Sequence, residues 1–411
     1  MKKSIRSLIG CITLVFAVLA CSLPANSGAE QAPSNEVATI VAATMQALTP
    51  DASSGATPEP ESPSALLPRS LYYLGSDDAG LAQVFRMEKD GETTAQLTFE
   101  PDPVEYYDIS PVDASVVYIS NNQMLLIQAD GSDRRVLVDG GAVDENNPYL
   151  SKVGNPVFSP NGQTIAYGHK GLNLYAVSTG ATNLVIEDQW DEVGGGLSIP
   201  TELYWPEKYS RDGTKLLVTL GYYEGASTAV YYPASNALTR LSGGEGAIIC
   251  CGDYHLSDDG SVLYAASPHM GMFNAGLWRV DIATGNVATL FSTTFDSNPA
   301  EVADNPFLAP DGQLYFFYAS VPNTEGFIDR APLQLVRSAP DGVADRTVLR
   351  PETFPNVWEA LWAPDASFVI VTLSNIQTDQ GLQGREAQVV YTDGRPILPL
   401  LPFAQRLKWG P

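Results

Sequence analysis

The sequence predicts an all-β chain: a seven-bladed β-propeller of four-stranded antiparallel blades, closed by the C-terminal strand. Three observations point to it. A motif of about fifty residues recurs along the chain, the composition favours short strands over helices, and the first repeat lacks a strand that the last residues supply. Charged residues make up only 17% of the 411 residues, Gly and Pro number 35 and 30, and hydrophobic residues reach 44%. That balance suits many strands and turns around a sizeable core.

The N-terminus reads as a signal. Lys2, Lys3 and Arg6 precede an apolar run from Ser7 to Ala20 that is too short to span a bilayer comfortably. The run ends in Val18-Leu19-Ala20-Cys21, which resembles the lipobox of bacterial lipoproteins, where small residues admit the peptidase and the Cys thiol carries diacylglycerol. The earlier match Leu8-Ile9-Gly10-Cys11 would leave almost no apolar region, so Cys11 reads as part of the signal helix. The resemblance implies a lipoprotein signal over residues 1–20 and lipid on Cys21. It places the protein outside the cytoplasm, anchored by its acyl chains to the cell membrane or outer membrane. Residues 21–68 continue as a tether rich in Ala, Ser, Pro, Thr and Glu. Within it, Val37, Ile40, Val41, Thr44, Met45 and Leu48 fall at helical spacing behind a cap at Ser34, which predicts one short helix. The propeller is expected over residues 69–411.

From Leu71 onward one pattern recurs: an apolar residue, Ser or Ala, often Pro, an acid or amide, Gly, then a β-rich run. Its copies are Ile109-Ser110-Pro111-Val112-Asp113-Ala114, Phe158-Ser159-Pro160-Asn161-Gly162, Tyr209-Ser210-Arg211-Asp212-Gly213, Leu256-Ser257-Asp258-Asp259-Gly260, Leu308-Ala309-Pro310-Asp311-Gly312 and Trp362-Ala363-Pro364-Asp365-Ala366. The Ser/Ala positions step by 49, 51, 47, 52 and 54 residues, a regularity that means stacked supersecondary units. A second strand follows each copy, as in Val116 to Ile119 or Phe368 to Val371, rich in residues that pack on a pleated surface. A third, such as Leu172 to Val177 or Leu277 to Asp281, is closed by turn signals including Asp130-Gly131, Thr179-Gly180 and Asp393-Gly394. A fourth ends the unit. Four antiparallel strands per repeat make a propeller blade.

The two ends set the number of blades. Leu71 to Leu74 matches the second strand of the repeat, and Gln83 to Met87, Asp90-Gly91 and Ala95 to Thr98 match the rest, but this unit has no innermost strand of its own. Arg406 to Pro411 lines up with the run ending Ala360-Leu361-Trp362-Ala363-Pro364 and supplies it. Six complete motifs and one shared blade give seven; without the shared blade the ring has six. Closure removes an open sheet edge. The repeats resemble the WD-like Pro-Asp repeat of TolB-type propellers across essentially all of the folded part. Arg211 and Asp258 stand in for Pro, and Ala114 and Ala366 for Gly. The resemblance implies the architecture, and seven-bladed relatives with such repeats include oligogalacturonate lyase.

Formal charge is −24, and removing Lys2, Lys3 and Arg6 leaves 20 basic against 47 acidic residues, or −27 for the mature chain. Such a surface repels phosphate backbones and anionic lipid, so nucleic acid is not an expected partner. After the signal, the thiols besides Cys21 are the adjacent Cys250 and Cys251, which either form a strained vicinal disulfide or sit as small buried strand residues. His169, His255 and His269 are scattered and no Cys-x-x-Cys occurs, so neither a metal nor a cofactor is expected.

The Asp-Gly steps read as hairpin turns, in which the acid bonds its own backbone and Gly takes positive φ. No Gly-x-Ser-x-Gly occurs, while a carboxylate pair facing the channel remains compatible with the acid count. Binding is expected on the face opposite the motif turns, where the long loops Asp139 to Gly154, Asp188 to Glu202, Ser267 to Gly276, Ala319 to Pro332 and Ser374 to Glu386 gather. They supply Asp144, Glu145, Asp188, Trp190, Asp191, Glu192, Met272, Phe273, Phe327 and Arg330 as candidate ligand residues. The expected function is a membrane-anchored, monomeric, non-catalytic binding or protein-interaction scaffold for an envelope protein or glycan. The alternative is a polysaccharide-acting lyase or hydrolase using the channel.

Overall fold

The computed structural model describes residues 65–411 except 145–146, 195–197, 224, 242–252, 271–273, 324–325, 327, 329–330, 375, 379–380 and 384–385, with backbone only for 376–378 and 381–383. The signal, Cys21, residues 21–64 of the tether with its helix, and Cys250 and Cys251 lie outside these residues; of the tether's last residues, Leu67 is buried against Leu71 and Leu407 and so packs with the propeller. Pro63–Pro411 forms one compact unit.

Seven four-stranded antiparallel sheets follow one another as the blades of a propeller. Blade 1 holds Leu71–Ser76, Ala82–Met87 and Thr94–Gln96, with Gln405–Trp409 as its innermost strand. Blade 2 runs from Val104–Ile109 to Arg135–Asp139, blade 3 from Gly154–Phe158 to Thr182–Glu187, and blade 4 from Ser198–Tyr209 to Ala237–Arg240. Blade 5 runs from Tyr254–Leu256 to Val287–Thr293, blade 6 from Ala300–Leu308 to Thr347–Phe354, and blade 7 from Val357–Trp362 to Leu398–Leu401. In blades 2 to 7 the first strand lies innermost and the last outermost, and in blade 1 the closing strand Gln405–Trp409 takes the innermost place. The second strand Val116–Ser120 is buried throughout, whereas the outer strand Thr182–Glu187 is exposed or half-exposed. Both faces of an inner strand meet neighbouring blades, so a continuous apolar run fits there better than strict alternation.

The core is divided into seams between neighbours. Tyr72, Leu74 and Val84 of blade 1 meet Val104, Tyr107 and Val116 of blade 2. Val157, Ala166 and Leu172 of blade 3 meet Tyr204, Leu216 and Val218 of blade 4. The last seam sets Ile370 and Val389 of blade 7 against Leu71, Tyr73 and Leu407 of blade 1, which completes the circle.

The expected closure is present. Leu71 pairs with Trp409, Tyr72 with Lys408 and Leu74 with Gln405, and Gly410 N donates to Ser70 O at 2.9 Å. Trp409 occupies the place in blade 1 that Trp362 holds in blade 7, donating its Nε1–H to Trp362 O at 2.8 Å. It is half-buried, whereas Trp362 is only 7% exposed.

The motif turns are structural. Gly162, Gly213, Gly260 and Gly312 have φ of 68°, 71°, 64° and 78°, and Ala114 and Ala366 adopt the same left-handed conformation at 60° and 58°. Ser210 Oγ and Thr214 N donate to Asp212 at 2.7 and 2.9 Å. Such bonds, led by the Ser hydroxyl, push Asp212 and Asp259 down to about 2.

Two of the expected loops are instead ribbons. Gln189–Glu192 pairs with the start of Ser198–Tyr209, so the segment 188–202 prolongs the inner strand of blade 4 as a hairpin. Ile376–Thr378 pairs with Gly381–Gln383 as a separate two-stranded ribbon between the second and third strands of blade 7. In the first case strand formers such as Trp190, Ile199 and Thr201 flank a Gly-rich tip, which is hairpin chemistry that length alone does not reveal.

Candidate functional site

The seven inner strands converge on the ring axis, and among the described residues six of them carry a register shift. The extra residues are Glu105, Asn155-Pro156, Glu207, Asn305-Pro306, Trp358 and Arg406-Leu407. A bulge breaks strict alternation and re-aims side chains. Asn155, Asn305 and Arg406 hold φ of 50°, 49° and 55° at these points.

Counting back from the Ser or Ala of each motif, with Gly410 as its equivalent in the closing strand, defines two tiers. The fourth residue back is Arg406, Tyr106, Asn155, Pro206, Asp253, Asn305 and Glu359 in blades 1 to 7. The second back is Lys408, Asp108, Val157, Lys208, His255, Phe307 and Leu361. Charges along the inner strands act on one another across the ring: Asp253 of blade 5 on Glu359 of blade 7, and Lys408 of blade 1 on Lys208 and the adjacent bulge residue Glu207 of blade 4. They therefore share one lumen.

Its wall is hydrogen-bonded from blade to blade. Arg406 N and Leu407 N donate to the Glu359 carboxylate at 2.7 and 2.6 Å. Lys408 Nζ reaches Asp108 Oδ1 at 2.7 Å, and Phe158 N donates to Asp108 Oδ2 at 2.7 Å. Asn155 Nδ2 and Tyr254 OH both donate to Glu207 at 3.4 Å. The Arg406 guanidinium lies 3.9 Å from the Tyr106 ring centre. His255 meets Phe307 edge-on at 4.8 Å, and Phe307 stacks on Trp362 at 5.5 Å.

Enclosure by protein disfavours charge in the lumen. Burial pushes Asp253 up to about 6 and Glu359 up to about 7, and also raises Glu207. Burial, helped by Lys208, drives His255 down to about 3, and Lys208 is itself lowered by burial. Near neutral pH the site can thus offer carboxyls that accept or give up a proton beside cations that do not match them one to one.

The residues expected on the loop face are dispersed. Asp188 accepts the Tyr204 backbone N–H at 3.0 Å and is pushed up to about 7 by burial, a bond within the scaffold. Trp190, Asp191 and Glu192 share the outer strand of the hairpin, half-buried, exposed and exposed. Asp144 is exposed in a loop whose base is fixed by Asn122: its Nδ2 donates to Gly141 O and Ser151 O, and its Oδ1 accepts Val153 N–H. The loops of blades 5 and 6 are joined by a two-way bridge between Met270 and Ile328. Glu145, Met272, Phe273, Phe327 and Arg330 lie outside the described residues.

The lumen residues were legible only through the repeat. Charged or amide groups replace apolar ones at the same two motif positions, as at Asp108, Lys208, Asp253 and Glu359. A hollow of about 410 Å³ on the motif-turn face is lined by Ser159, Asn161, Tyr209 and Asp212, but Ser159 and Asp212 are bonded within their own turns. Among the described residues no three of His, Cys, Asp and Glu lie close enough to hold a metal ion.

No known sequence family and no curated protein matches the chain. In three dimensions it is similar to an oligogalacturonate lyase from Vibrio parahaemolyticus, with a TM-score of 0.51 and 11% identity over 81% of this chain and 85% of that one. A puromycin-hydrolysing peptidase of Mycobacterium tuberculosis gives 0.52 at 14% identity over 84% of this chain; the match spans 53% of the peptidase. A TolB from Acinetobacter baumannii superposes at 0.41 with 13% identity over 80% and 79%. At these identities the likeness establishes the fold, a β-propeller that proteins of different activities share.

Proposed function

We propose that this protein is a lipid-anchored binding protein outside the cytoplasm, whose propeller takes its ligand at the channel mouth on the face opposite the motif turns. The observation that carries the binding role is the lumen. Enclosing the half-buried carboxyls of Asp253 and Glu359 costs desolvation, and the neighbouring tier shows that plain apolar side chains are tolerated on these strands, with Val157 and Leu361 in the places where blades 2 and 4 carry Asp108 and Lys208. A scaffold needs no such charges. The anchor rests on Val18-Leu19-Ala20-Cys21, and the mature charge of −27 disfavours polyanionic partners.

The test uses the chain from Ser22 onward, titrated against glycan and envelope-protein panels by calorimetry. A ligand is expected whose affinity falls at least roughly ten-fold in Lys208→Leu or Glu359→Gln; binding untouched by both places the ligand elsewhere. In cells, a labelled fatty acid should mark the wild type and not Cys21→Ser. Label retained by that variant overturns the anchor.

A second reading, an enzyme acting on polysaccharide, is favoured by one observation: Asp253 and Glu359 titrate near neutrality in a shared lumen, as proton-transfer groups do. New reducing ends or unsaturated products from a polysaccharide, lost in Asp253→Asn, would decide for it.

A further inference from the structure

Among the described residues, the exposed aromatic side chains all lie on the face opposite the motif turns: Phe99, Tyr149, Tyr223 and Phe295 in its loops, and Trp358 on the inner-strand bulge of blade 7. On the motif-turn face the exposed large apolar residues are Val112 and Val343. Single exposed apolar residues are ordinary on a protein surface. Three of these aromatics differ, because the connection that carries each is clamped by a side-chain amide.

Gln83, fully buried on the third strand of blade 1, brackets Phe99. Its Nε2 donates to Glu100 O at 2.8 Å, and its Oε1 accepts Thr98 Oγ1–H at 2.8 Å and Glu100 N–H at 3.1 Å. Asn122 holds both ends of the connection bearing Tyr149, through Gly141, Ser151 and Val153, and the Tyr149 ring meets Trp205 edge-on at 6.4 Å. Asn323 Nδ2 donates to Phe295 O and Ser297 O, both at 3.0 Å, while its Oδ1 accepts Gly326 N–H at 2.9 Å. The Phe295 ring lies on Gly326, where a Cβ would come within 2.2 Å of it. Phe99, Tyr149 and Phe295 are nonetheless 77%, 48% and 66% exposed. Amide side chains that fix exposed rings describe a surface prepared in advance, so little ordering entropy is lost on docking.

We propose that these three connections form the docking surface for a folded protein with a basic face. This deepens the binding role at the channel mouth and rests on it. The connections follow blades 1, 2 and 5 and so lie on opposite sides of the ring. A partner that meets all three spans the mouth, as one face of a folded protein does. Aromatic anchors of this kind carry much of the binding energy in protein interfaces. Each connection also carries an acid within five residues of its ring in sequence: Asp102, Asp144 and Asp296. Their one base is Lys152, whose Nζ lies 3.0 Å from Glu105 Oε2, and Glu100 is paired with Arg134 at 2.7 Å. A partner's Lys or Arg can pair with such an acid and lay its cation over a ring. The chain itself uses that arrangement where the Arg346 guanidinium lies 3.8 Å from the Tyr318 ring centre and 3.2 Å from Glu301.

In its own cell, the full-length chain carrying photoreactive p-benzoylphenylalanine at Phe99, at Phe295 or, as a control, at Val112 is irradiated, and its adducts are identified by mass spectrometry. Phe99 and Phe295 should capture the same protein, one of basic isoelectric point, and Val112 should not. No protein adduct, an acidic partner, different partners from the two positions, or equal capture through Val112 each overturns the proposal. The captured protein is then purified and titrated by calorimetry into the chain from Ser22 onward. Phe99→Ala and Phe295→Ala should melt with wild type and each weaken binding roughly ten-fold or more. Asp296→Lys, which leaves every ring in place, should weaken it as well and reduce its dependence on salt. Unchanged affinity in the two Ala variants, or in Asp296→Lys, removes the docking surface. If Lys208→Leu weakens binding and these three do not, channel binding stands and this assignment falls; if these three weaken it and Lys208→Leu and Glu359→Gln do not, the docking surface stands without the lumen.

Discussion

Ala114 and Ala366 hold a left-handed backbone where four sister turns use Gly. An L-residue pays roughly 1 to 2 kcal/mol for that conformation, so Ala114→Gly should raise stability by about 1 kcal/mol after the entropy of glycine is subtracted. A urea titration reads it directly, and an unchanged or lower midpoint would mean the turn is not strained. The lumen carboxyls give a second residue-scale expectation. Asp253 and Glu359 have folded-state pKa values of about 6 and 7, above their ordinary 3.8 and 4.5. The folded state therefore binds protons more tightly than the unfolded one; the stability this contributes is full below about pH 4 and lost as pH rises through about 7. Wild type should unfold at lower urea at pH 8 than at pH 6, and Asp253→Asn should flatten part of that slope. Asp188, pushed up to about 7, retains its share in the variant. An identical slope in Asp253→Asn would place that carboxyl in ordinary solvent.

The closing strand carries a consequence for the element scale. Gln405–Trp409 is held by its pairing with Leu71–Ser76, by Glu359 on two of its amides, by the Lys408–Asp108 ion pair and by Tyr107 OH on Arg406 O. Leu407, 5% exposed, is its contribution to the last seam. Removing a buried Leu side chain costs about 2 to 5 kcal/mol, and a typical domain has only about 5 to 15 kcal/mol in all. Deleting residues 406–411 takes the strand and uncovers Leu71 and Tyr73 as well. Thermal melts followed by circular dichroism should show the cooperative transition lost or moved far down, whereas an equal deletion within Pro50 to Ser62, short of the buried Leu67, leaves it in place. Matching melts for the two deletions would remove the closing strand from the account of stability.

For the whole molecule, the ring makes all seams equivalent in kind, so the position of the chain ends should matter little once closure is covalent. Ser70 and Gly410 are hydrogen-bonded neighbours. Joining Ala65 to Pro411 through a Gly-rich linker, which keeps the buried Leu67, and opening the chain at the exposed outer turn Thr179-Gly180 preserves every seam and the closing pair. This circular permutant should keep the strand-rich far-ultraviolet spectrum and melt near wild type. A permutant that fails to fold would show that the order of synthesis, rather than closure, directs this ring.

The sequence by itself determined the blade, the repeat, the motif turns and the count of seven. These depend on local chemistry: apolar runs, Asp-Gly turns and a terminal strand whose Trp409 repeats Trp362. Only the tertiary structure decided which side chains share the lumen. Asp253, Asn305 and Glu359 stand about fifty residues apart, and each looks like an ordinary polar residue of a short strand until seven strands are set around one axis. Bulges at Asn155, Asn305 and Arg406 break the period of two that would otherwise assign faces. The hairpin at 188–202 escaped for a related reason: variable length marks a loop, but whether its halves pair depends on the inner strand of blade 4 that it prolongs. Strand and turn propensities are local free energies, carried by each segment wherever it lies; convergence on a channel is a property of the closed ring, and no single repeat contains it.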